Sequence, residues 1–209
     1  MRMRLGEVGL ARLSLVAPPL LLVVGWTFLI ANAGQGADDA WAAGHLILFA
    51  GNALWIPAVL TLTHVTGPMS RRPAAIALGL AIVGSVCVAG QLAVDLVAWS
   101  LSLDAMGLRE LFTAVRARPV LVLLFYLVGP SLLVAGIFTA ALALNSSPRG
   151  ARTGGRLVAA GLVIALVGAL STFSLLTLAG YVAVLVGFAQ IAAAIDRRDV
   201  GVVVGEPAD

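Results

Sequence analysis

The segment that decides the fold is "AAIALGLAIVGSVCVAGQLAVDLVAWSLS", residues 74–102, which holds a single charged side chain, Asp95. An α-helix needs about 20 apolar residues to cross the hydrocarbon core of a bilayer, so this segment is long enough to span a membrane. A charge at mid-membrane is unfavourable by about 2.5–3.5 kcal/mol on insertion scales. The segment therefore predicts a transmembrane helix with an ionisable group inside it.

The rest of the chain has the same apolar character. Of its 209 residues, 61% are hydrophobic and 11% are charged, whereas soluble domains average about 45–50% apolar and about 25% charged residues. We predict an all-α polytopic transmembrane bundle over residues 1–198, followed by a short cytoplasmic tail at 199–209. The six predicted helices cover residues 13–32, 44–65, 74–102, 119–144, 156–170 and 173–195.

The last two predicted helices are separated only by "STFS", residues 171–174. One continuous helix over 156–195 would be about 60 Å long, twice the thickness of the hydrocarbon core. A tight helical hairpin is therefore predicted instead.

The arginines indicate the orientation of the bundle. With the N-terminus in the cytoplasm, ten of the 13 basic residues lie in inner segments and three in outer loops, as the positive-inside rule requires. Both termini are then cytoplasmic. The inner set is Arg2, Arg4, Arg12, Arg71, Arg72, Arg149, Arg152, Arg156, Arg197 and Arg198, and the outer set is Arg109, Arg116 and Arg118.

The N-terminus also allows a second interpretation, a cleaved signal peptide with "ANA" at 31–33 as its cleavage site. The apolar stretch is longer than the 7–15 residues usual for such a signal, and Trp26 suits an interfacial anchor. Cleavage would leave five helices with an unchanged orientation.

The outer loop "LDAMGLRELFTAVRARP", residues 103–119, has the pattern of an amphipathic helix. Asp104 is a suitable N-cap and Pro119 marks the end. We predict a short helix at 104–116 on the outer membrane surface, with a simple extension of the third or fourth helix as the alternative. Its apolar positions follow helical spacing and are Leu108, Leu111, Phe112 and Val115.

Asp95 lies on one stripe of small and polar residues, so we expect it to face the interior of the bundle. Depth counted along the helices places Asn52 and Tyr126 level with it, and His45 nearer the outer mouth. These positions predict an outward-facing polar pocket formed by Asp95, Gln91, Asn52, Tyr126, His45 and Trp99. The stripe consists of Gly84, Cys87, Gln91, Asp95, Trp99 and Ser102.

Two roles for Asp95 are open. It is either a proton or cation site, or a hydrogen-bonding residue that fixes helix packing. The sequence favours packing slightly, because no second acid or base is expected at the same depth. Asp95→Asn separates the roles, since it abolishes activity in the first and is nearly silent in the second.

Several function classes are excluded or disfavoured. The chain has no lysine, which excludes a Schiff base, and its basic loops suit membrane headgroups rather than nucleic acid. Cys87 is the only cysteine, so no intrachain disulfide and no cysteine zinc site is expected. His45 and His64 are too far apart on one helix to ligate one haem iron. No nucleophile, metalloprotease or phosphate-loop motif occurs, so we predict no cofactor and no metal, and the sequence favours a non-enzymatic role over an enzymatic one.

Membrane lipids are the expected surroundings, and small-residue helix faces suggest close helix packing, either within the chain, in a homo-oligomer or with a partner membrane protein. Pro57 and Pro130 are expected to kink their helices. The small-residue faces consist of Gly161, Ala165 and Ala169 on the fifth helix, and Gly180, Ala183 and Gly187 on the sixth.

Three stretches, "GHLILFAGNALWIPAVLTLTHV" (44–65), "GQLAVDLVAW" (90–99) and "FYLVGPSLLVAGIFTAALAL" (125–144), carry a resemblance. In their arrangement they resemble uncharacterised multi-pass membrane proteins of GC-rich bacteria, over residues 44–195. The resemblance implies a six-helix plasma-membrane protein and no particular activity.

The sequence thus favours a non-enzymatic accessory or partner-binding protein of the cell membrane. The alternatives are a small proton- or cation-coupled transporter that uses Asp95, and an intramembrane enzyme acting on a lipid.

Overall fold

The computed structural model describes residues 5–33, 37–65, 71–101, 103–147, 149–171 and 173–203, and every regular element in them is helical. A π-helical segment (Val122–Val128) lies between α6 and α7, and a short 3-10 helix (Ala143–Ser146) follows α7. The α-helices are α1 (Leu5–Ala31), α2 (Asp39–Ala53), α3 (Trp55–Val65), α4 (Arg71–Ser100), α5 (Ala105–Arg116), α6 (Pro119–Leu121), α7 (Gly129–Leu142), α8 (Arg149–Leu170) and α9 (Ser174–Val203).

Six helical stretches are long and apolar enough to cross a membrane, which confirms the predicted all-α class and the number of helices. Because the number is even, the start of α1 and the end of α9 lie at the same end of the bundle. The stretches are Glu7–Ala31, Asp39–Thr63, Arg72–Ser100, Pro119–Asn145, Gly150–Leu170 and Ser174–Ile195.

The helix boundaries differ from the sequence prediction mainly at the N-terminal ends. The second span begins at Asp39, whereas the prediction began at 44, because Asp38 caps α2 and its carboxylate accepts a hydrogen bond from the backbone N–H of Trp41. At the other end of the chain, α9 continues to Val203 into the predicted tail, whose last residues, 204–209, lie outside the described residues.

The hairpin predicted for the last two spans is confirmed. The helix α8 ends at Leu170 and α9 begins at Ser174. The two helices pack closely because glycines lie at their contact, and a Cβ added to Gly161 would lie 2.8 Å from the carbonyl oxygen of Gly180. These residues of the small-residue faces therefore pack against each other within the chain.

Pro57 and Pro130, the two prolines expected to kink their helices, both lie at interruptions of regular α-helix. Between α2 and α3 the helix breaks at Leu54, because Pro57 has no N–H to donate to the carbonyl of Ala53, four residues earlier. Pro130 also lies at an interruption, because α7 begins at Gly129, directly after the π-helical segment. There the N–H of Gly129 donates to the carbonyl of Leu124, five residues earlier.

The predicted amphipathic helix is α5, a separate element rather than an extension of a neighbour. The side chain of Asp104 accepts hydrogen bonds from the N–H groups of Met106 and Gly107 at its start, at 3.1 and 2.8 Å. The apolar face of α5 packs partly on protein and partly faces outward. The helix covers one end of the bundle, which we name the α5 end. The cluster there consists of Ala37, Ala98 and Leu108, surrounded by Trp41, Leu103, Leu111 and Phe112.

The main core lies deeper and takes buried residues from α1, α2, α3, α4, α7, α8 and α9. Trp55 and Phe188 are almost fully buried and their rings contact each other with centroids 5.5 Å apart. This packing fixes α3 against α9 and leaves α2 and α4 to form the polar contacts at the α5 end.

Candidate functional site

Asp95 is buried, with 6% of its surface exposed, which confirms that it faces the interior of the bundle. Its partner is His45 of α2, which is 4% exposed. The His45 Nε2 atom lies 3.4 Å from Oδ2 of Asp95. This distance is long for a hydrogen bond and short enough for a strong interaction between the two groups.

This contact corrects the sequence analysis, which placed His45 nearer the mouth and expected no second ionisable group beside Asp95. The physical reason is the earlier start of α2. A shift of five residues, from 44 to Asp39, moves every residue of the helix about 7.5 Å deeper from its entrance. His45 consequently occupies the level that had been assigned to Asn52.

The backbone determines which nitrogen of His45 carries a proton. Nδ1 lies 2.8 Å from the carbonyl oxygen of Trp41, and because a carbonyl oxygen only accepts, Nδ1 is the donor. Nε2 therefore faces Asp95, and one proton completes the interaction between them. Either a protonated Asp95 donates to neutral His45, or protonated His45 donates to the Asp95 carboxylate. The pair has zero net charge in both arrangements.

Two tryptophans connect α2 and α4 around this pair. Trp41 stacks on His45 with ring centroids 4.2 Å apart, and its indole N–H reaches the backbone carbonyl of Asp95 at 3.5 Å. In the opposite direction, Trp99 of α4 donates to the carboxylate of Asp39 at 3.2 Å. Trp99 thus fastens the helix ends, and it does not line the cavity described next.

A cavity of about 410 Å³ opens beside Asp95, between α4, α5 and the π-helical segment. Asp95 is one of the residues that line it, and the carboxyl of the same residue contacts His45. Of the predicted site residues, the structure brings Asp95, Gln91 and Tyr126 together here. The lining residues are Gln91, Asp95, Phe112, Arg116, Val122 and Tyr126.

Three lining residues were not predicted from the sequence: Val122 on the π-helical segment and two residues of α5, Phe112 and Arg116, for which the signal was present. They are four residues apart on α5, and residues at this spacing share one face of a helix. Arg116 had been assigned to the polar face of a helix on the membrane surface. Because α5 packs over the end of the bundle, the same residue faces a cavity.

Three polar side chains of the cavity lack protein partners. The hydroxyl of Tyr126 is buried and makes no hydrogen bond with any residue whose position is described. The Gln91 amide and the Arg116 guanidinium make no hydrogen bond or ion pair with any residue in the described part of the chain. The lining therefore holds N–H and O–H donors without protein partners among the described residues; Arg116 is exposed, Gln91 is half-buried and the Tyr126 hydroxyl is buried.

Asn52 does not belong to this cavity, and its predicted placement is wrong. Its amide donates to the backbone carbonyl of Ser85 at 2.9 Å. Ser85 precedes Asp95 by ten residues, about 15 Å along α4. Asn52 Oδ1 and Ser85 Oγ are both buried without hydrogen-bond partners among the described residues, so they form a second, separate polar contact in the bundle.

No group of three or more His, Cys, Asp or Glu side chains arranged to hold a metal ion is found among the residues with described positions. Ser102, the last residue of the predicted polar stripe, lies outside those residues. Comparison with known proteins gave no match to a family model, to a curated protein or to a solved structure.

Proposed function

We propose that this chain is a non-enzymatic accessory protein of the cell membrane that binds a small ligand, or a polar group of a partner, in the cavity at the α5 end. The observation that carries the proposal is the cavity itself, which combines three unpartnered polar side chains with a buried ionisable pair. A largely apolar cavity with a few convergent polar groups is the usual form of a binding site.

The chemistry of the lining supports binding rather than covalent catalysis. Gln91, Arg116 and Tyr126 are hydrogen-bonding groups, and the six lining residues include no serine, threonine, cysteine or lysine. These four residue types are common catalytic nucleophiles, and the nucleophile types that the lining does hold are the carboxyl of Asp95 and the phenol of Tyr126.

The orientation of the cavity is part of the proposal. The arginine distribution favours a cytoplasmic location for both termini, so the α5 end faces outward. A ligand would then enter from the outer side of the membrane, where α5 covers the bundle.

A pair of tryptophan substitutions tests the proposal. Val122→Trp fills the cavity, whereas Leu123→Trp places the same ring on the adjacent residue, which is 50% exposed on the outside of the bundle. Binding of the four-carbon probes 1-butanol, butylamine and butyrate is measured in nanodiscs by the shift in melting temperature. At least one probe is expected to stabilise wild type and Leu123→Trp but not Val122→Trp. Equal responses of all three proteins to every probe would refute binding in the cavity.

A second candidate, a proton-coupled transporter, is favoured by the contact between His45 and Asp95. His45 is a second ionisable group beside Asp95. The expected absence of such a group had counted against transport. Proton flux into liposomes under an applied gradient tests it. Transport predicts a flux that Asp95→Asn abolishes, whereas a flux equal to that of empty liposomes excludes this candidate.

A further inference from the structure

Resting on the proposed binding function, we infer that the cavity is an oxyanion site for a small organic acid, and that the proton of the His45–Asp95 pair responds to its occupancy. The ligand class is a carboxylate or phosphate group on a short apolar body. Neither the charge preference nor the coupling follows from the presence of a cavity alone.

Three side chains that line the cavity carry hydrogen-bond donors without protein partners among the described residues. The guanidinium of Arg116 presents five N–H donors and no acceptor, and the amide of Gln91 and the hydroxyl of Tyr126 each add a donor. All three line the same cavity and lack partners in the described structure. A planar guanidinium matches the geometry of a carboxylate or phosphate and binds it through two parallel hydrogen bonds.

The net charge of the cavity lining favours an anionic ligand. While His45 and Asp95 share one proton the pair is neutral, and Arg116 is then the one net charge among the described residues that line the cavity. An anion neutralises this charge, whereas a cation beside Arg116 would be repelled by it. The site is therefore selective for anions.

Binding of an anion in the cavity is coupled to protonation of the His45–Asp95 pair. The ionisable groups that face Asp95 from its neighbours are His45 on α2, Arg116 on α5 and Tyr126 on the π-helical segment. Asp39 is held by Trp99 and does not line the cavity. An oxyanion next to Asp95 repels its ionised form and favours the proton on the carboxyl. Binding therefore weakens when the pH is raised enough to remove the shared proton.

The remaining walls determine the rest of the ligand. Phe112 and Val122 are apolar and complete the lining. A cavity of about 410 Å³ lies within the range of about 300–1,000 Å³ typical of small-molecule sites. A short hydrocarbon body beside the charged group satisfies both surfaces.

The test uses the full-length protein in nanodiscs of zwitterionic lipid, titrated with butyrate, inorganic phosphate, butylamine and 1-butanol. Arg116→Gln is expected to weaken butyrate or phosphate binding about tenfold or more, as loss of one charged hydrogen bond does. The matched control is Arg109→Gln, which removes the same charge from a residue that is likewise exposed, two turns earlier on α5, and that does not line the cavity.

A second arm separates a dissolved acid from a lipid headgroup. Phosphatidylglycerol retained by the purified protein is counted by mass spectrometry in wild type, Arg116→Gln and Arg109→Gln. Retention that only Arg116→Gln loses identifies the same oxyanion chemistry with a lipid as its source. Butyrate or phosphate binding that only Arg116→Gln loses identifies a soluble acid.

The coupling is read from the pH dependence of butyrate affinity. Wild type is expected to lose affinity as the pH rises, and Asp95→Asn is expected to lose this slope, because an amide donates to His45 and does not ionise. Equal slopes in both proteins would overturn the coupling. The oxyanion inference is overturned if 1-butanol or butylamine binds in preference and Arg116→Gln behaves like Arg109→Gln. The proposed binding function survives that outcome, and it fails only if no probe is sensitive to Val122→Trp.

Discussion

Removing one partner of the His45–Asp95 pair is expected to destabilise the protein more than removing both. The two side chains are 5% and 8% exposed and lie 3.4 Å apart, so each replaces much of the hydration that the other has lost. Breaking a buried ionic pair by deleting one member costs about 3–5 kcal/mol of unfolding free energy. Asp95 also borders the cavity, where water can reach it. We therefore expect His45→Leu to cost about 3 kcal/mol, at the lower end of this range.

The reverse deletion is milder. Asp95→Leu leaves a neutral His45 that keeps its hydrogen bond to the carbonyl of Trp41 and has one unsatisfied nitrogen. A buried polar atom without a partner costs about 1–3 kcal/mol. In the double variant no polar group is orphaned, and replacing a buried pair with apolar side chains is often close to neutral. The coupling free energy between the two positions should be at least about 2 kcal/mol.

Steric trapping in bicelles measures the unfolding free energy of the four proteins in this cycle. The matched control is a cycle of Asp95→Leu with Asn52→Leu, because Asn52 bonds Ser85 and does not contact the pair. The control effects should be additive within about 0.5 kcal/mol. Additive effects of that size in the His45–Asp95 cycle would refute the argument, because they would mean that the two groups do not interact.

Three further outcomes follow from the same structure. The infrared band of the protonated Asp95 carboxyl is identified by its loss in Asp95→Asn. In the lipid-embedded wild type this band should diminish as the pH is raised, because the cavity gives water access to Asp95. A band that never changes would mean that the carboxyl is sealed from water. Gly161→Leu should lower the unfolding free energy by about 3 kcal/mol or more, since its side chain would overlap the backbone of α9 at Gly180, and a wild-type value in steric trapping would contradict that contact. Asp104→Ala should cost about 1 kcal/mol by removing the cap of α5, and it should accelerate hydrogen exchange in α5 while exchange in α8 stays unchanged.

Much of the fold could be predicted from the sequence because hydrocarbon imposes a simple length requirement. Each span must be apolar over about 20 residues, and this property is visible along the chain without knowledge of neighbours. The spacing of Leu108 and Phe112 predicted α5 in the same local way. The break at Leu54 also followed from local chemistry, since a proline removes one hydrogen bond at a known position.

The site was less predictable because it depends on relations between helices. The inward direction of Asp95 could be read from its own helix, whereas its partner could not. An error of five residues in the start of α2 exchanged the levels of His45 and Asn52. The cavity depended on where α5 docks, and the sequence gives no measure of that, because an amphipathic face packs equally well on lipid or on protein.

The position of Asp95, in contact with His45 and in the lining of a cavity, bears on the choice between packing and binding. A residue that only holds helices together needs a partner and no access to solvent, and an apolar pair at the two positions would pack as well. Asp95 has a partner in His45 and also lines a cavity with three unpartnered polar groups. Packing accounts for the first contact and leaves the second without a role. The His45→Leu/Asp95→Leu double variant separates the two roles, because it is expected to keep its stability while the pH dependence of butyrate binding disappears. If wild-type pH dependence persists in that variant, the proton lies elsewhere and Asp95 serves packing alone.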